Sequence, residues 1–382
     1  MDRSTVVIER CAGYDPEGVY HTLKRGIARL GGMEHFVRPG ERILLKPNIL
    51  SGDAPERAVT THPAVLAACA RLLREGGAEV VFGDSPGLER PSHAAQGSGL
   101  LQAGVASGAA YDPFDAPRPL PNPGGEMVSD FPVASIVHGV DGIVNLPKFK
   151  THQLTRITGA VKNTFGTISG RRKAMYHVQF PDVKDFCSFL IELNLRLRPR
   201  LHIIGAIVAM EGNGPRSGAP AEIGALILSA DPVAVDATAC RLAAMDPAHV
   251  PTNTRGAEMG LGRWREEQIA YLGAPYRDLV RPRFEAVRKP VYSNATFAYY
   301  GAIKNLLLPK PEIDAHRCVR CGRCVEACPV PGKALNWRDG RRDRPPVYHY
   351  DACIRCYCCQ EMCPKQAIYR RTPLLGRLLR VA

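Results

Sequence analysis

A chain of 382 residues, 45% of them hydrophobic, is long enough for two domains and a sizeable core. It opens Met1-Asp2-Arg3-Ser4 and runs straight into Val6-Val7-Ile8, so no secretory leader is expected; its longest apolar run, residues 201–210, is too short to span a bilayer. The formal net charge of +13 is uneven: from Lys310 onward 15 Lys and Arg stand against 7 Asp and Glu, and elsewhere 35 against 30.

Residues 1–285 alternate strand-like and helix-like stretches, the pattern of an α/β domain with a mostly parallel sheet. A strand over 5–9 precedes a helix over 16–30. A strand over 42–46 runs into Lys46-Pro47-Asn48, and a helix follows over 63–75. A strand over 79–83 runs into Gly83-Asp84-Ser85-Pro86-Gly87. The Pro- and Gly-rich stretch 113–125 reads as an excursion loop. A strand over 142–146 carries Asn145 and leads to Lys148, Lys150 and His152. A helix over 155–165 carries Lys162 and Asn163, and Arg171-Arg172-Lys173 adds charge beyond it. After a helix over 183–195, a strand over 202–210 runs into Glu211-Gly212-Asn213-Gly214-Pro215. A strand over 225–229 and a helix over 232–245, capped by Asp231 with Pro232 at its first position, complete the domain.

Four apolar strands thus end in polar or Gly-rich turns. In open α/β sheets, ligands bind beyond the carboxyl ends of the strands. If these strands are parallel neighbours, one pocket gathers Lys46, Asn48, Asp84, Ser85, Asn145, Lys148, Lys150, Lys162 and Asn163. Several cations with few acids suit a small anionic substrate, a carboxylate or phosphate. His152 and Glu211 are the candidate proton-transfer groups. Each residue also has a plain reading: a lysine after a strand is usually surface, Asp-Ser-Pro-Gly is a good turn by itself, and one histidine serves equally to hold a loop.

Residues 286–310 read as a linker, with an apolar stretch over 292–308 that suits a helix docking the next domain. That domain, 311–370, holds Cys318-Val-Arg-Cys321-Gly-Arg-Cys324-Val-Glu-Ala-Cys328-Pro329 and Cys353-Ile-Arg-Cys356-Tyr-Cys-Cys359-Gln-Glu-Met-Cys363-Pro364. Both follow the C-x2-C-x2-C-x3-C-P spacing of bacterial two-cluster ferredoxins, in which the fourth cysteine ligates the other cluster. Carried over by position, one 4Fe–4S cluster takes Cys318, Cys321, Cys324 and Cys363, and the second takes Cys353, Cys356, Cys359 and Cys328. Cys358 reads as a spare thiol. Zinc is the alternative for paired cysteines, but it leaves the third cysteine and the Cys-Pro of each run unexplained. The remaining Cys11, Cys69, Cys187 and Cys240 sit among apolar neighbours and read as buried. Reduced thiolates suit the cytoplasm. The tail, 371–382, is basic and leucine-rich; it suits contact with a membrane surface, but so short a segment is expected to pack back onto the body.

Leu45-Lys46-Pro47-Asn48, Gly83-Asp84-Ser85-Pro86-Gly87, Asn145-Leu146-Pro147-Lys148-Phe149-Lys150-Thr151-His152, Gly159-Ala160-Val161-Lys162-Asn163-Thr164-Phe165-Gly166 and Glu211-Gly212-Asn213-Gly214-Pro215 together resemble the family known as domain of unknown function 362, in its version fused to a ferredoxin domain. The resemblance implies an α/β domain joined to a small α+β iron–sulfur module, and it supplies no reaction. The expected function is an oxidoreductase passing single electrons through two 4Fe–4S clusters to a small anion or bound cofactor in the α/β domain. The alternatives are an electron-transfer subunit serving a partner enzyme and a non-redox enzyme with structural clusters. The basic C-terminal part suits an acidic partner of the ferredoxin or flavodoxin type; no DNA-binding motif supports nucleic acid. A solvated basic face with no specific partner is the plain alternative.

Overall fold

The computed structural model describes residues 3–170, 172–291 and 301–379. The large domain runs β1 (Ser4–Arg10), α1 (Pro16–Arg29), β2 (Arg42–Pro47), α2 (Pro63–Glu75), β3 (Glu79–Phe82), α3 (Pro91–Gly97), α4 (Leu100–Ala106), β4 (Ala110–Tyr111), β5 (Pro117–Pro121), β6 (Asp130–Ala134), β7 (Gly142–Leu146), β8 (Lys148–His152), β9 (Arg156–Thr158), α5 (Ala160–Asn163), α6 (Arg172–Gln179), α7 (Val183–Leu197), β10 (Leu201–Glu211), β11 (Ala219–Ser229), α8 (Pro232–Leu242), α9 (Pro251–Glu258) and β12 (Ile269–Gly273). Then α10 (Gly301–Leu307) leads to β13 (Lys310–Ile313), α11 (Arg323–Ala327), β14 (Leu335–Asn336), β15 (Val347–Tyr348), α12 (Cys358–Glu361), β16 (Ile368–Arg371) and α13 (Leu374–Leu378).

The main sheet has the order β12-β1-β11-β10-β7-β2-β3-β4. From β10 to β4 every pairing is parallel, as is β1 with β12; β11 runs antiparallel to both its neighbours. Alternation along each strand sends side chains to two helical layers. Val7, Ile43, Leu45 and Val80 pack under α1 and α2, while Val6, Ile8, Ile204 and Ile227 pack under α8. Strands covered on both faces read as continuous apolar runs, as β10 does. Side-chain caps start the long helices: Asp15 accepts from Gly18 N at 2.7 Å, Asp182 from Lys184 N at 2.8 Å, and Asp231 from Val233 N and Ala234 N at 2.8 and 2.9 Å.

Two expectations fail locally. Residues 155–165 are not one helix: β-branched Ile157 and Thr158 extend as β9 and fold back antiparallel on β8, and Gly159 turns the chain into the short α5. The expected loop 113–125 contains β5, paired with β6. Most of the expected docking helix over 292–308 lies outside the described residues, which begin again at α10.

In the small domain β13 pairs antiparallel with β16 and β14 with β15, so its chain termini lie side by side. The expected packing of the tail is only partial. Gly376 sits against the Leu307 carbonyl of α10, but Leu374 and Leu378 project into solvent. Among the described residues no helix is long and apolar enough to cross a membrane.

Candidate functional site

A cavity of about 310 Å3 lies where the carboxyl ends of β2 and β3 meet the small domain. The large domain supplies Asn48–Leu50, Asp84–Leu88, Lys162, Asn163, Phe165 and one face of α6; the small domain supplies Glu326–Pro329, Lys333, Cys358, Glu361 and Met362. Parallel β2 and β3 end beside each other, so their following turns share one rim. Of the expected pocket residues, Asn48, Asp84, Ser85, Lys162 and Asn163 line it.

The other lysines lie behind this rim. Lys46 is fully buried and pairs with Asp84 at 2.8 Å while donating to Pro47 O at 2.7 Å. Burial pulls its pKa down, against the pull of Asp84. Asp84 Oδ1 also accepts from Ser85 N at 2.8 Å, so the acid stabilises the turn and its charge is compensated. Gly166 passes so close to Asp84 that any side chain there would collide with it. Lys150 donates to Asn48 Oδ1 at 2.8 Å and Val59 O at 2.7 Å, and burial pulls its pKa down to about 7. Lys148 points elsewhere, to the Tyr14 hydroxyl at 3.1 Å. Asn145 is buried and ties Ala160 O and His202 to Asn163.

Among the described residues, three cavity groups are left without hydrogen-bond partners: Lys162, Asn163 Oδ1 and His177 Nδ1. Lys162 is half-buried and makes no hydrogen bond or ion pair among the described residues. Its charge nevertheless reaches His152, His177 and Glu361. His177 is 6% exposed, stacks on Phe186 with ring centroids 4.4 Å apart, and has an unpartnered Nδ1. Burial lowers its pKa to about 3, so the ring is neutral. Lys173, one turn before His177 on α6, donates to the carbonyls of Ser85, Pro86 and Ile168.

His152 does not line the cavity. Its Nδ1 accepts from Leu154 N at 3.1 Å and Thr155 N at 3.2 Å. That leaves the proton on Nε2, which donates to Glu361 Oε1 of the small domain at 2.8 Å. Burial opposes the Glu361 charge, but the bond from His152 and the charge of Lys162 prevail and hold its pKa at about 2. Nearby, Gln360 Nε2 donates to Asn213 O at 3.1 Å and Asn213 Nδ2 to Ile368 O at 2.9 Å, fastening the two domains. Glu211 accepts from Glu285 N at 2.7 Å and lies outside the cavity. Lys173, expected to add to the cationic field, lines the cavity; His177, Glu361 and Cys358 were not among the expected pocket residues. The i, i+4 spacing of Lys173 and His177 was the one usable signal; Glu361 looked like spacer between Cys359 and Cys363.

The cysteines form two groups. Cys318, Cys321, Cys324 and Cys363 line a small cavity of about 20 Å3. Burial pushes the Cys324 thiol up to about 12, and the thiols of Cys363, Cys318 and Cys321 add to the shift. Cys353 lies beside Cys356 and Cys328, and Cys359 beside Cys356 and Cys353. The Cys-Pro of each run therefore crosses to the other run's loop. Among the described residues no three His, Cys, Asp or Glu converge as one metal ion needs; a cubane spreads its ligands around a larger body, which suits both quartets. Tyr348 Oη lies 3.2 Å from Cys359 Sγ, and Ala367 N donates to Cys363 Sγ at 3.3 Å. The outer quartet reaches the surface at Cys321; the inner one reaches the cavity at Cys328. Cys11, Cys69, Cys187 and Cys240 are buried, as expected.

Comparison with known proteins agrees with this division. Residues 308–367 match the family described as a 4Fe-4S dicluster domain, which supports iron–sulfur electron transfer. A thylakoid-associated protein of Synechocystis is 34% identical over 277 residues, covering 72% of this chain and 85% of that protein. A solved protein from Thermotoga maritima is 12% identical, with a TM-score of 0.35 over 58% of each chain. Residues 43–241, more than half of the chain, match the family described as domain of unknown function (DUF362). The chain belongs to that family, in a form carrying a 4Fe-4S ferredoxin-type domain after the α/β domain.

Proposed function

We propose that the protein is an iron–sulfur oxidoreductase acting on a small anion, or a cofactor bearing one, in the cavity between its domains. The observation that carries this reading is the shared wall: Cys328 of the inner quartet lines the same space as unpaired Lys162 and neutral His177. With Cys318, Cys321, Cys324 and Cys363 holding one 4Fe–4S cluster and Cys353, Cys356, Cys359 and Cys328 the other, the bound clusters would supply single electrons from the surface to the cavity.

The chain's own residues do the rest. Lys162, without a hydrogen bond or ion pair among the described residues, supplies the cation for the anion, and Asn48 and Asn163 add polar groups. Met175 and Met362 cover the apolar part. His177 offers a neutral ring nitrogen as hydrogen-bond partner, and it replaces His152, whose nitrogens are both occupied, as the candidate proton-transfer group. Exposed Cys321 lies among exposed Arg317, Arg320 and, across Trp337, Arg342, a face that suits an acidic ferredoxin- or flavodoxin-type donor. The same face supports the alternative of a relay subunit. Thiolates kept for iron favour a reducing compartment, the cytoplasm.

The test is anaerobic turnover. Dithionite-reduced protein should be reoxidised by a small carboxylate in a panel of those bearing a conjugated C=C or C=O bond, which takes up two electrons and two protons, and Lys162→Met should raise the KM for it. Reoxidation only by a partner protein would favour the relay. Turnover at an unchanged rate with oxidised clusters would overturn the redox reading.

A further inference from the structure

Among the described residues, the face formed by α10 and α13 is apolar, exposed and without a partner. Leu374, Leu378 and Leu379 are 74%, 70% and 59% exposed, and Leu306 on α10 is 54% exposed. Ile303 lies on the same side of α10, one turn earlier. The two helices pack together: Gly376 of α13 sits so close to the Leu307 carbonyl of α10 that no side chain would fit between them. Single exposed leucines are normal on a surface; a contiguous group with no cover marks an interaction site.

Charge indicates what covers it. Residues 364–382 contain Lys365, Arg370, Arg371, Arg377 and Arg380 and no Asp or Glu. Exposed leucines on the helix that carries exposed Arg377, a few residues after exposed Arg371, match the layering of an anionic membrane surface, with leucines at the acyl boundary and guanidinium groups among headgroup phosphates. A second copy of the chain would set this positive face against itself. A grooved partner reads one stripe of a helix, whereas Leu374 and Leu378 and, one residue on, Leu375 and Leu379 project over a wide arc that a fluid surface accommodates.

We propose that the α10–α13 face docks the protein reversibly on an anionic lipid bilayer. Among the described residues, neither helix is long enough to insert across it. Docking rests on the leucines for depth and on the arginines for lipid charge, and it is independent of the redox reading.

The test uses full-length, iron-loaded protein sedimented with vesicles of phosphatidylcholine containing phosphatidylglycerol, or of phosphatidylcholine alone. The protein is expected to sediment with the mixed vesicles, less with the neutral ones, and less again in high salt. Each of Leu374→Ser and Leu378→Ser should weaken binding by about tenfold. Iron content and melting temperature should stay unchanged, since both side chains are exposed. Leu374→Trp should keep binding and show a blue-shifted emission on adding mixed vesicles. No sedimentation with mixed vesicles, or binding unaffected by Leu374→Ser and Leu378→Ser together, would overturn the proposal. So would self-association in the ultracentrifuge that these substitutions abolish, because a second copy would then be the occupant.

Discussion

His152 and Glu361, 209 residues apart, meet at 2.8 Å across the boundary between the domains. Two backbone N–H groups hold the other nitrogen of the ring, so the bond has a fixed direction, and the carboxylate it reaches sits in the cavity wall. The contact sets the small domain over the strand ends. Glu361→Ala leaves the buried Nε2–H of His152 without an acceptor and should cost about 1.5–3 kcal/mol of domain docking. Iron content should hold, while limited proteolysis between the domains should accelerate. An unchanged cleavage rate would mean that the remaining contacts suffice.

Acid should loosen the same boundary. Burial, then the charge of Lys162, pull His152 from an ordinary value of 6.5 down to about 4. The folded protein thus binds fewer protons than the unfolded chain between these values. The stability from neutral His152 is complete above about pH 6.5 and lost as pH falls toward 4. His177, held neutral by burial down to about 3, adds to the loss over the same range. Melting temperature should fall as pH drops from 7 to 5, with iron absorbance recorded alongside to separate cluster loss. His152→Gln, which donates without titrating, should flatten the curve.

Lysines of the same apparent kind should behave differently. Lys162 makes no hydrogen bond or ion pair among the described residues and acts on Glu361 only through its charge, so Lys162→Met should lower the melting temperature far less than Lys46→Met, while weakening binding of a carboxylate probe such as succinate by about tenfold. Lys46→Met strands the buried Asp84 charge and should destabilise the fold by about 3–5 kcal/mol. Gly166→Ala should act like Lys46→Met, because its new methyl group meets Asp84. Calorimetry on the three variants checks the ranking.

At the cysteines, Cys358→Ala should retain full iron, whereas Cys359→Ala should lose roughly half of it. Tyr348→Phe removes the hydroxyl beside Cys359 Sγ and should lower the potential of one cluster by on the order of 40 mV, the equivalent of about 1 kcal/mol in a one-electron couple. Redox titration followed by EPR reads both.

How far the sequence disclosed this arrangement depended on the residue. Apolar runs such as Arg42–Pro47 and Leu201–Glu211 announced the central strands, because strands buried on both faces need such runs. The cysteine spacing announced the small domain. Strand ends located the cavity, but not which lysines face it. Lys46 and Lys150 follow the same rule of position as a surface lysine, and only packing shows them buried against Asp84 and Asn48. Thr155 to Phe165 read as a helix because nothing local reveals that β8 offers β9 an edge to pair with. Glu361 was invisible as a site residue, since its partner belongs to the other domain.

The most direct test of the central claim is EPR of the anaerobically reduced protein during a redox titration, with and without a cavity-binding anion. The account predicts about eight irons per chain and signals from two 4Fe–4S clusters. Adding the anion should shift the potential of one cluster only, and Lys162→Met should abolish that shift. Fewer than two clusters, or potentials indifferent to an anion that binds at Lys162, would contradict it.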